Sequence, residues 1–335
     1  MSSAEAVGER PGPRAVMPQR LIRDAIAAGN LELQYQPIVQ IGTARITCYE
    51  ALLRMRSPGG TSLLPDDFLP AVAHTPVMHD ITAWVLDRAC ADAVRLAPAS
   101  VAINVAAIDV ARPALVGLVR DALERHGISG RQLAIELTEH AAVQAMDTAV
   151  LVLEQLRGLG VDLCLDDFGT GYSSLMYLRD LPLTHVKIDR TFVAGIVDNE
   201  DDSAIVRSVI GLSHRVGLAV VAEGVERSDQ LRFLRNAHCD LAQGYLLAEP
   251  APIDETATTI DAALLGAPAR RVRGQITESP TLPASVRTQV AELAGQGASL
   301  HTIAAVLNRD GLATPAGTRW TAATVARALT PPDAG

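Results

Sequence analysis

The segments LELQYQPIV (residues 31–39) and ITCYEALLR (residues 46–54) decide the fold, because only six residues separate them. Both are rich in the aliphatic, aromatic and β-branched residues that are typical of strands. A parallel crossover connection needs about a dozen residues or more, whereas an antiparallel pair can be joined by a short turn. The spacing therefore predicts that the first strand runs antiparallel to the second.

Further predicted strands alternate with amphipathic helices along the chain. These strands are SVAINVAA (100–107), QLAIELTE (132–139), VDLCLDDFG (161–169), THVKIDR (184–190), LAVVAEGVE (218–226) and LAQGYLLAE (241–249). The helical patterns cover residues 77–96, 113–126, 141–157, 200–216 and 226–237. This order predicts an α/β fold, a modified (β/α)8 TIM-type barrel with an antiparallel first strand, and a doubly wound sheet is the alternative.

The sequence also predicts where the domains begin and end. A stretch rich in Pro, Gly and Arg without apolar periodicity, residues 266–283, is typical of a linker. Residues 1–19 are expected to form a flexible lead-in, residues 20–265 the barrel, and residues 284–330 a small all-helical C-terminal module. Within that module, helices are predicted at about 284–295, 299–309 and 321–329.

Composition excludes several classes of protein. Hydrophobic residues make up 48% of the chain and charged residues 20%, which suffices for a large apolar core. The four cysteines form no CxxC pair, which argues against a disulfide framework or a zinc knuckle. No apolar run reaches the roughly 18 residues of a membrane-spanning helix, and the N-terminus lacks the apolar segment of a secretory signal. We therefore expect a cytoplasmic protein.

Polar residues fall near the ends of most predicted strands. They are Glu50, Asn104, Glu136, Asp166, Asp167, Lys187, Glu223 and Gln243. In a barrel these strand ends form one rim, the usual location of catalytic groups. Carboxylates gathered there repel one another and are costly to desolvate, so the pattern indicates bound cations. Because no His or Cys joins the set, the expected ions are Mg²⁺ or Mn²⁺.

The adjacent pair Asp166–Asp167 indicates two ions. Neighbouring side chains of a regular strand face opposite ways, so both can serve one site only where the strand ends and the backbone bends. Two ions roughly 3.5–4 Å apart can stabilise both the attacking and the leaving oxygen of a phosphoryl displacement. Metal ions would also explain how a chain of net charge −9 binds phosphate.

With these residues, the sequence resembles the EAL domain family of cyclic di-GMP phosphodiesterases. The matching motifs are YQPIV (35–39), EALLR (50–54), INVAA (103–107), IELTE (135–139), DDFGTGYSSL (166–175), VKID (186–189), AEGVE (222–226) and QGYLLAEP (243–250). The resemblance covers roughly residues 20–265. It implies a modified barrel with an antiparallel first strand, and hydrolysis of cyclic di-GMP to linear pGpG.

The resemblance also implies roles for individual residues. The implied ligands of the first metal are Glu50, Asn104, Glu136 and Asp166. Those of the second metal are Asp166, Asp167 and Glu223. Lys187 is expected to position the attacking water and help deprotonate it, with Asp167 and Glu223 as its catalytic partners.

Substrate contacts and assembly are implied in the same way. Arg54, Gln243 and Gln36 are expected on the substrate side of the site. Glu139 would anchor the segment DFGTGYSSL, which in the family couples dimer contacts to the metal site. A homodimer is therefore expected.

The C-terminal module carries a second resemblance. The pattern IAAVLNRDGLATPAGTRWTAATVARAL (303–329) resembles the helical DNA-binding segment of large serine recombinases. Phosphate contacts would then come from Arg309, Arg319 and Arg327. The alternative is a helical cap or protein-docking module, because the segment after residue 269 holds only seven arginines against four acidic residues. The acidic barrel would also oppose approach to DNA.

Other functions remain as alternatives at this stage. The tripeptide Asp167–Gly169 (DFG) invites a protein-kinase interpretation, but the glycine-rich loop and HRD motif of kinases do not precede it. A non-catalytic cyclic di-GMP receptor, or a DNA-binding regulator that signals through the tail, would use the same barrel. Lys187 taken alone could also be a structural ion-pair partner of nearby carboxylates.

Overall fold

The computed structural model describes residues 19–57, 59–138, 146–169 and 180–261, together with residues 286, 289, 290, 293, 300–309, 312 and 325. The chain separates into two compact units, Met1–Ala269 and Arg270–Gly335. The first unit contains the barrel and the second a small helical core. Each is described by itself.

Eight strands of the described residues close into a barrel, with a short ninth strand as an extension. The strands are β1 (Leu31–Gln40), β2 (Arg45–Arg56), β3 (Ser62–Leu63), β4 (Ser100–Asn104), β5 (Leu133–Thr138), β6 (Asp162–Phe168), β7 (His185–Ile188), β8 (Ala219–Ala222) and β9 (Leu241–Ala242). Their order is β1-β9-β8-β7-β6-β5-β4-β2, and pairing of β1 with β2 closes the ring. The short β3 pairs only with the end of β2.

The first strand runs antiparallel to both of its neighbours, β2 and β9. The other neighbouring strands around the barrel are parallel. This confirms the predicted antiparallel first strand and the modified barrel, and the doubly wound alternative is wrong. The β1–β2 register places Gln36 directly opposite Glu50.

Helices surround the barrel. They are α1 (Gln19–Ala27), α2 (Pro65–Phe68), α3 (Pro76–Leu96), α4 (Ala107–Val110), α5 (Ala114–His126), α6 (Met146–Gly158), α7 (Arg190–Gly195), α8 (Glu200–Arg215) and α9 (Ser228–Asn236). Their ends follow local chemistry. Asn199 caps α8 by accepting from two backbone N–H groups, and Gly127 ends α5 in the left-handed conformation. Among the described residues, no helix is long and apolar enough to cross a membrane.

Several predicted strands are shorter than expected, among them 184–190, which forms only His185–Ile188, and 218–226, which forms only Ala219–Ala222. The segment 100–107 ends as a strand at Asn104, because Ala107 begins α4. The segment 241–249 forms only the two-residue strand β9. There the chain turns at Gly244, whose φ is +157°, and a Cβ at that position would lie 2.2 Å from the backbone of Val225.

Alternation along the strands separates the outer core from the barrel interior. Ile103, Ile135 and Val186 are fully or almost fully buried residues of the main hydrophobic core. The residues one position further along, Asn104, Glu136 and Lys187, lie on the opposite face, as strand geometry requires. The same strands that supply the apolar core therefore deliver polar side chains to the barrel interior.

The C-terminal unit has a small core of its own. Within it, α10 spans Leu300–Arg309, inside the helix predicted at 299–309. Its buried residues Ile303 and Leu307 pack with Val286, Val290 and Val325. The described residues near the other two predicted helices are also helical, and the rest of those helices lies outside the described residues.

Candidate active site

The ammonium group of Lys187 lies at the centre of a cluster of carboxylates from four other strands or strand ends. Its Nζ is 2.8 Å from Glu136 Oε2 and 2.5 Å from Glu223 Oε1. It is 3.2 Å from Glu50 Oε2 and 3.6 Å from Asp166 Oδ1. The side chain of Lys187 is 1% exposed. Parallel strands place these groups together because Glu136, Asp166, Lys187 and Glu223 lie near or just past the C-terminal ends of their strands, while Glu50 lies midway along the longer β2.

Burial and mutual attraction set the charges of this cluster. Burial acts to lower the pKa of Lys187, but the attraction of Glu136, Glu223 and Glu50 raises it well above the ordinary value. Burial raises the pKa of Glu136 well above its ordinary range, and it raises the pKa of Glu223 to about 8. A bound cation would favour the charged forms of these carboxyl groups and so lower their pKa values.

Glu50 is held differently from its neighbours. Burial acts to raise its pKa, but Lys187 and hydrogen bonds from Gln243 and Asn104 lower it below the ordinary value. Asn104 Nδ2 donates to Oε1 at 2.8 Å, and Gln243 Nε2 donates to Oε2 at 2.7 Å. Glu50 is therefore a charged carboxylate whose position is fixed by hydrogen bonds to both of its oxygens.

The bend expected at the pair Asp166–Asp167 is present. Asp167 has a φ of +56°, and the β6–β7 register shifts between Leu165 and Phe168. The bend turns Asp167 toward the same side as Asp166. Carboxylate oxygens of Asp166, Asp167 and Glu223 all lie within 4.8 Å of one another, so these residues could hold a metal ion. An all-oxygen set of this kind suits Mg²⁺ or Mn²⁺.

Gln243 gives an independent sign that the site receives a polar ligand. Its Nε2 donates to Gln36 Oε1 at 2.9 Å as well as to Glu50. Its Oε1 is buried and has no hydrogen-bond partner among the described residues. A buried acceptor without a partner is costly, and Gln243 also lines a cavity where a ligand or water would supply the donor.

That cavity, here called the rim pocket, has a volume of about 210 Å³. Its lining includes Glu50, Glu223, Gln243, Arg190, Glu226 and Tyr245. The sequence did not single out Arg190 or Tyr245, and it gave Glu226 no role. The only sequence feature that could have indicated these residues is their position, since each directly follows or belongs to one of the motifs VKID, AEGVE and QGYLL.

Comparison with known proteins agrees with this geometry. Residues 19–250 match the family described as EAL domain. The chain belongs to the EAL domain family. Its C-terminal residues 283–333 match a second family, described as Recombinase, in agreement with the resemblance seen in the tail.

The EAL domain has named relatives at high identity. The chain is 43% identical over 237 residues to the cyclic di-GMP phosphodiesterase NbdA of Pseudomonas aeruginosa, covering 69% of this chain and 30% of NbdA. It is 39% identical over 245 residues to the bifunctional diguanylate cyclase/cyclic di-GMP phosphodiesterase MucR of the same organism, covering 71% of this chain and 36% of MucR. The chain thus spans about a third of the length of these relatives.

A solved structure shows the same EAL fold. The structure described as PaMucR phosphodiesterase in complex with c-di-GMP superimposes with a TM-score of 0.68 at 39% identity. The match covers 71% of this chain and 98% of that chain. It corresponds to the barrel described here.

Arg54 lies apart from the rim pocket of the EAL domain. It is on the same face of β2 as Glu50, four residues further along the strand. Its Nε donates to Gln34 Oε1 at 3.0 Å and its Nη1 donates to the Leu53 carbonyl at 2.9 Å. Burial lowers its pKa, and Tyr245 is one of the groups acting against that shift. Arg54 is therefore placed at the outer edge of the site.

Several expected residues of the EAL domain and the tail lie outside the described residues. They are Glu139, the segment 170–179 that includes most of DFGTGYSSL, Arg319 and Arg327. Of the three tail arginines, Arg309 is described, and it is exposed in the last turn of α10. The expected roles of these residues stay predictions.

Proposed function

We propose that the chain hydrolyses one phosphodiester bond of cyclic di-GMP, giving linear pGpG, and that it needs two divalent cations, Mg²⁺ or Mn²⁺. The observation that carries this proposal is the buried cluster of carboxylates around Lys187, open to the rim pocket through Glu50 and Glu223. The phosphodiesterase names of NbdA and MucR support it.

The residues present fit two cations. Glu50, Asn104, Glu136 and Asp166 would hold the first, and Asp166, Asp167 and Glu223 the second. Burial, together with repulsion from neighbouring carboxylates, raises the pKa values of Glu136 and Glu223, and bound cations would stabilise their charged forms. When bound, the ions would activate a water molecule as nucleophile and neutralise charge on the phosphate oxygens.

The side chains of the protein perform the remaining steps. Lys187 donates a hydrogen bond to the attacking water, and Glu223, 2.5 Å from Lys187 Nζ, accepts its proton with Asp167 alongside. The water oxygen forms a bond to phosphorus while the bond from phosphorus to the ribose O3′ breaks. One 5′-phosphate and one 3′-hydroxyl result, with the hydroxyl proton taken from solvent.

Substrate binding follows from the polar groups at the rim. Gln243 presents an unpartnered acceptor oxygen among the described residues, and Gln36 holds that amide from the neighbouring strand while donating to the Ala248 carbonyl at 3.0 Å. Arg54 supplies a positive charge for a substrate phosphate. The family resemblance further supports a homodimer in which Glu139 anchors the segment DFGTGYSSL. Cysteines that are all free support a cytoplasmic location.

Product analysis tests the proposal. The full chain is incubated with cyclic di-GMP and Mg²⁺ or Mn²⁺, with and without EDTA, beside the variants Glu50→Ala and Glu154→Ala. Glu154 is an exposed glutamate of α6, so it controls for loss of a carboxylate elsewhere. We expect pGpG from the wild type and Glu154→Ala, and none in EDTA or from Glu50→Ala. Binding of cyclic di-GMP without pGpG in either metal would instead identify a receptor.

A second proposal concerns the C-terminal unit. We infer that residues 283–333 bind DNA, because they match the Recombinase family and α10 ends in an exposed arginine. The alternative is a protein-docking or capping module. DNA binding that depends on the tail would distinguish them.

A further inference from the structure

We propose that a cavity at the N-terminal ends of β2 and β4 binds a small carboxylate with an apolar body, at the end of the barrel opposite to the rim pocket. This cavity, here called the second cavity, has a volume of about 440 Å³, within the roughly 300–1,000 Å³ that is usual for small-molecule sites. The proposal is independent of the proposed hydrolysis, because the second cavity shares no lining residue with the rim pocket or the carboxylate cluster.

Three segments of the chain form the walls of the second cavity. Residues 43–46 lie at the turn from β1 into β2, residues 95–99 connect the end of α3 to the start of β4, and residues 258–260 complete the lining. Glu50 lies further along β2, and Asn104 ends β4. The second cavity is therefore at the strand starts, whereas the carboxylate cluster lies toward the strand ends.

Most of the lining is apolar. Besides Tyr49 and small parts of the turn, the apolar side chains that line the second cavity are Ile46, Leu96, Ala97, Pro98, Ala99 and Ile260. Of these, Leu96 and Ala99 are buried members of the main hydrophobic core, so they hold one wall in place. An apolar lining of this kind favours a ligand with a hydrocarbon or aromatic body.

Two hydrogen bonds fix the wall that residues 258–260 provide. The hydroxyl of Tyr49, a buried residue of β2, donates to the Ala257 carbonyl at 2.9 Å. The buried Thr256 hydroxyl donates to the Tyr35 carbonyl of β1 at 3.1 Å. The chain that leads into this wall is thus tied to two strands of the barrel. A wall that is held before the ligand arrives lowers the cost of ordering on binding.

Arg45 gives the second cavity a positive charge that the described residues do not neutralise. Arg95 also lines the cavity, but it forms an ion pair with Asp254. Arg45 is exposed at the start of β2, and its guanidinium forms no ion pair or side-chain hydrogen bond with the described residues. In a chain of net charge −9, such an arginine at the wall of a cavity is available to an anionic ligand.

These features together select the class of ligand. A guanidinium matches the two oxygens of one carboxylate, with which it forms a pair of parallel hydrogen bonds. The hydroxyls of Thr258 and Thr259, which also line the second cavity, are further donors. A nucleotide would bring more negative charge than one arginine balances, and a neutral apolar molecule would leave Arg45 without a partner. A monocarboxylate with an apolar body satisfies both the charge and the apolar walls.

The experiment measures binding of octanoate to the full chain by ligand-observed NMR titration, with octanol as the neutral probe of the same chain length. The variants are Arg45→Gln, Arg45→Lys and Thr259→Phe, which narrows the cavity at an exposed position. Arg120→Gln is the matched control, because Arg120 is an exposed arginine of α5. Arg190→Gln removes the arginine of the rim pocket and so reports binding there. Thermal melts confirm that each variant is folded.

We expect saturable binding of octanoate and clearly weaker binding of octanol. Arg45→Gln should lower the octanoate affinity about tenfold, because a hydrogen-bonded contact between two charged groups is worth about that factor. Arg45→Lys should recover part of this loss, since lysine keeps the charge without the planar fork. Thr259→Phe should also weaken binding, while Arg120→Gln and Arg190→Gln should resemble the wild type. Added salt should lower the octanoate affinity, because Arg45 is exposed.

Four outcomes overturn the proposal. They are no saturable binding of octanoate by the wild type, equal affinity for octanoate and octanol, an octanoate affinity that is unchanged in both Arg45→Gln and Thr259→Phe, and a loss in Arg190→Gln as large as that in Arg45→Gln. The last result would place the probe in the rim pocket. Since no step of this experiment uses cyclic di-GMP or a metal ion, its result does not depend on whether the chain hydrolyses cyclic di-GMP.

Discussion

Lys187 Nζ lies 2.8 Å from Glu136 Oε2, and both side chains are almost completely buried. Removing one partner of a buried ion pair leaves an uncompensated charge, which costs about 3–5 kcal/mol. We expect Lys187→Met to lower the free energy of unfolding by about this amount at pH 8 in EDTA. The cost should be smaller at pH 5, because the raised pKa of Glu136 lets it take up a proton and become neutral. Urea denaturation at the two pH values measures this.

Arg56→Met is the matched control for that prediction. Arg56 Nε lies 2.7 Å from Glu32 Oε2, but the arginine side chain is 63% exposed, and exposed pairs contribute only about 0–1 kcal/mol. A Lys187→Met cost no larger than the Arg56→Met cost would show that the central ion pair does not stabilise the fold.

Asp167 has a left-handed backbone conformation, and neighbouring carboxylates repel the negative charge of its side chain. Burial, Asp166 and Asp189 raise its pKa, and its φ of +56° is one that Asn adopts more easily than Ala. Asp167→Asn should keep or increase stability while reducing hydrolysis by at least the roughly 10–100-fold expected for changes near a metal. Asp167→Ala should lose activity similarly and also cost about 1–2 kcal/mol of stability. Thermal melts paired with pGpG assays check both, and equal melting temperatures for the two variants would contradict the strain argument.

Metal binding should release protons at neutral pH. Burial raises the pKa of Glu223 to about 8, so this acid is mostly protonated at pH 7 when no metal is bound. A metal ion binds the carboxylate form, so apparent affinity for Mn²⁺ should rise with pH and level off above about pH 8. Calorimetry at pH 7 in two buffers of different ionisation enthalpy measures the released protons. Identical heats in both buffers would disagree with a protonated Glu223.

The architecture of the barrel followed from spacing and alternation. The six residues between the predicted strands 31–39 and 46–54 favoured an antiparallel arrangement, and β1 and β2 have it. Polar residues at strand ends must meet at one rim once the strands are parallel, so Glu50, Glu136 and Lys187 could be grouped from the sequence alone. The bend at Asp166–Asp167 could be predicted because two adjacent carboxylates can face the same side of a strand only where the backbone bends.

Other features of the site depend on tertiary distances that no local pattern encodes. The sequence left open whether Lys187 is a catalytic group or a structural ion-pair partner of carboxylates, and the structure places its ammonium group among several of them. Arg190 and Tyr245 belong to no periodic pattern, and Arg190 lines the rim pocket where it passes close to Gly224. The predicted length of β9 was wrong because the turn at Gly244 interrupts an apolar run.

Substitutions at Gly224 and Gly217 distinguish the cost of backbone strain from the cost of a steric contact. Both have positive φ, +65° and +86°, but a Cβ would meet Arg190 only at Gly224, and at Gly217 it would meet nothing within 4 Å. Each change to Ala should cost about 1–2 kcal/mol from the left-handed backbone. Gly224→Ala should cost about a further 1–3 kcal/mol from overpacking and should reduce hydrolysis, because Glu223 is adjacent. Denaturant titrations and pGpG assays of both variants test this, and indistinguishable variants would remove the argument for close packing by Arg190.

The prediction for the C-terminal unit concerns the salt dependence of DNA binding. If residues 283–333 bind DNA, the full chain should retard a DNA duplex and a chain ending at residue 269 should not. Replacing Arg309, Arg319 and Arg327 together by alanine should make the plot of log affinity against log salt shallower by about 0.9 for each phosphate that is no longer neutralised. Replacing them by lysine should largely preserve the slope, because lysine keeps the charge. Equal DNA binding by the truncated chain, or an unchanged slope in the alanine variant, would favour the protein-docking alternative for this unit.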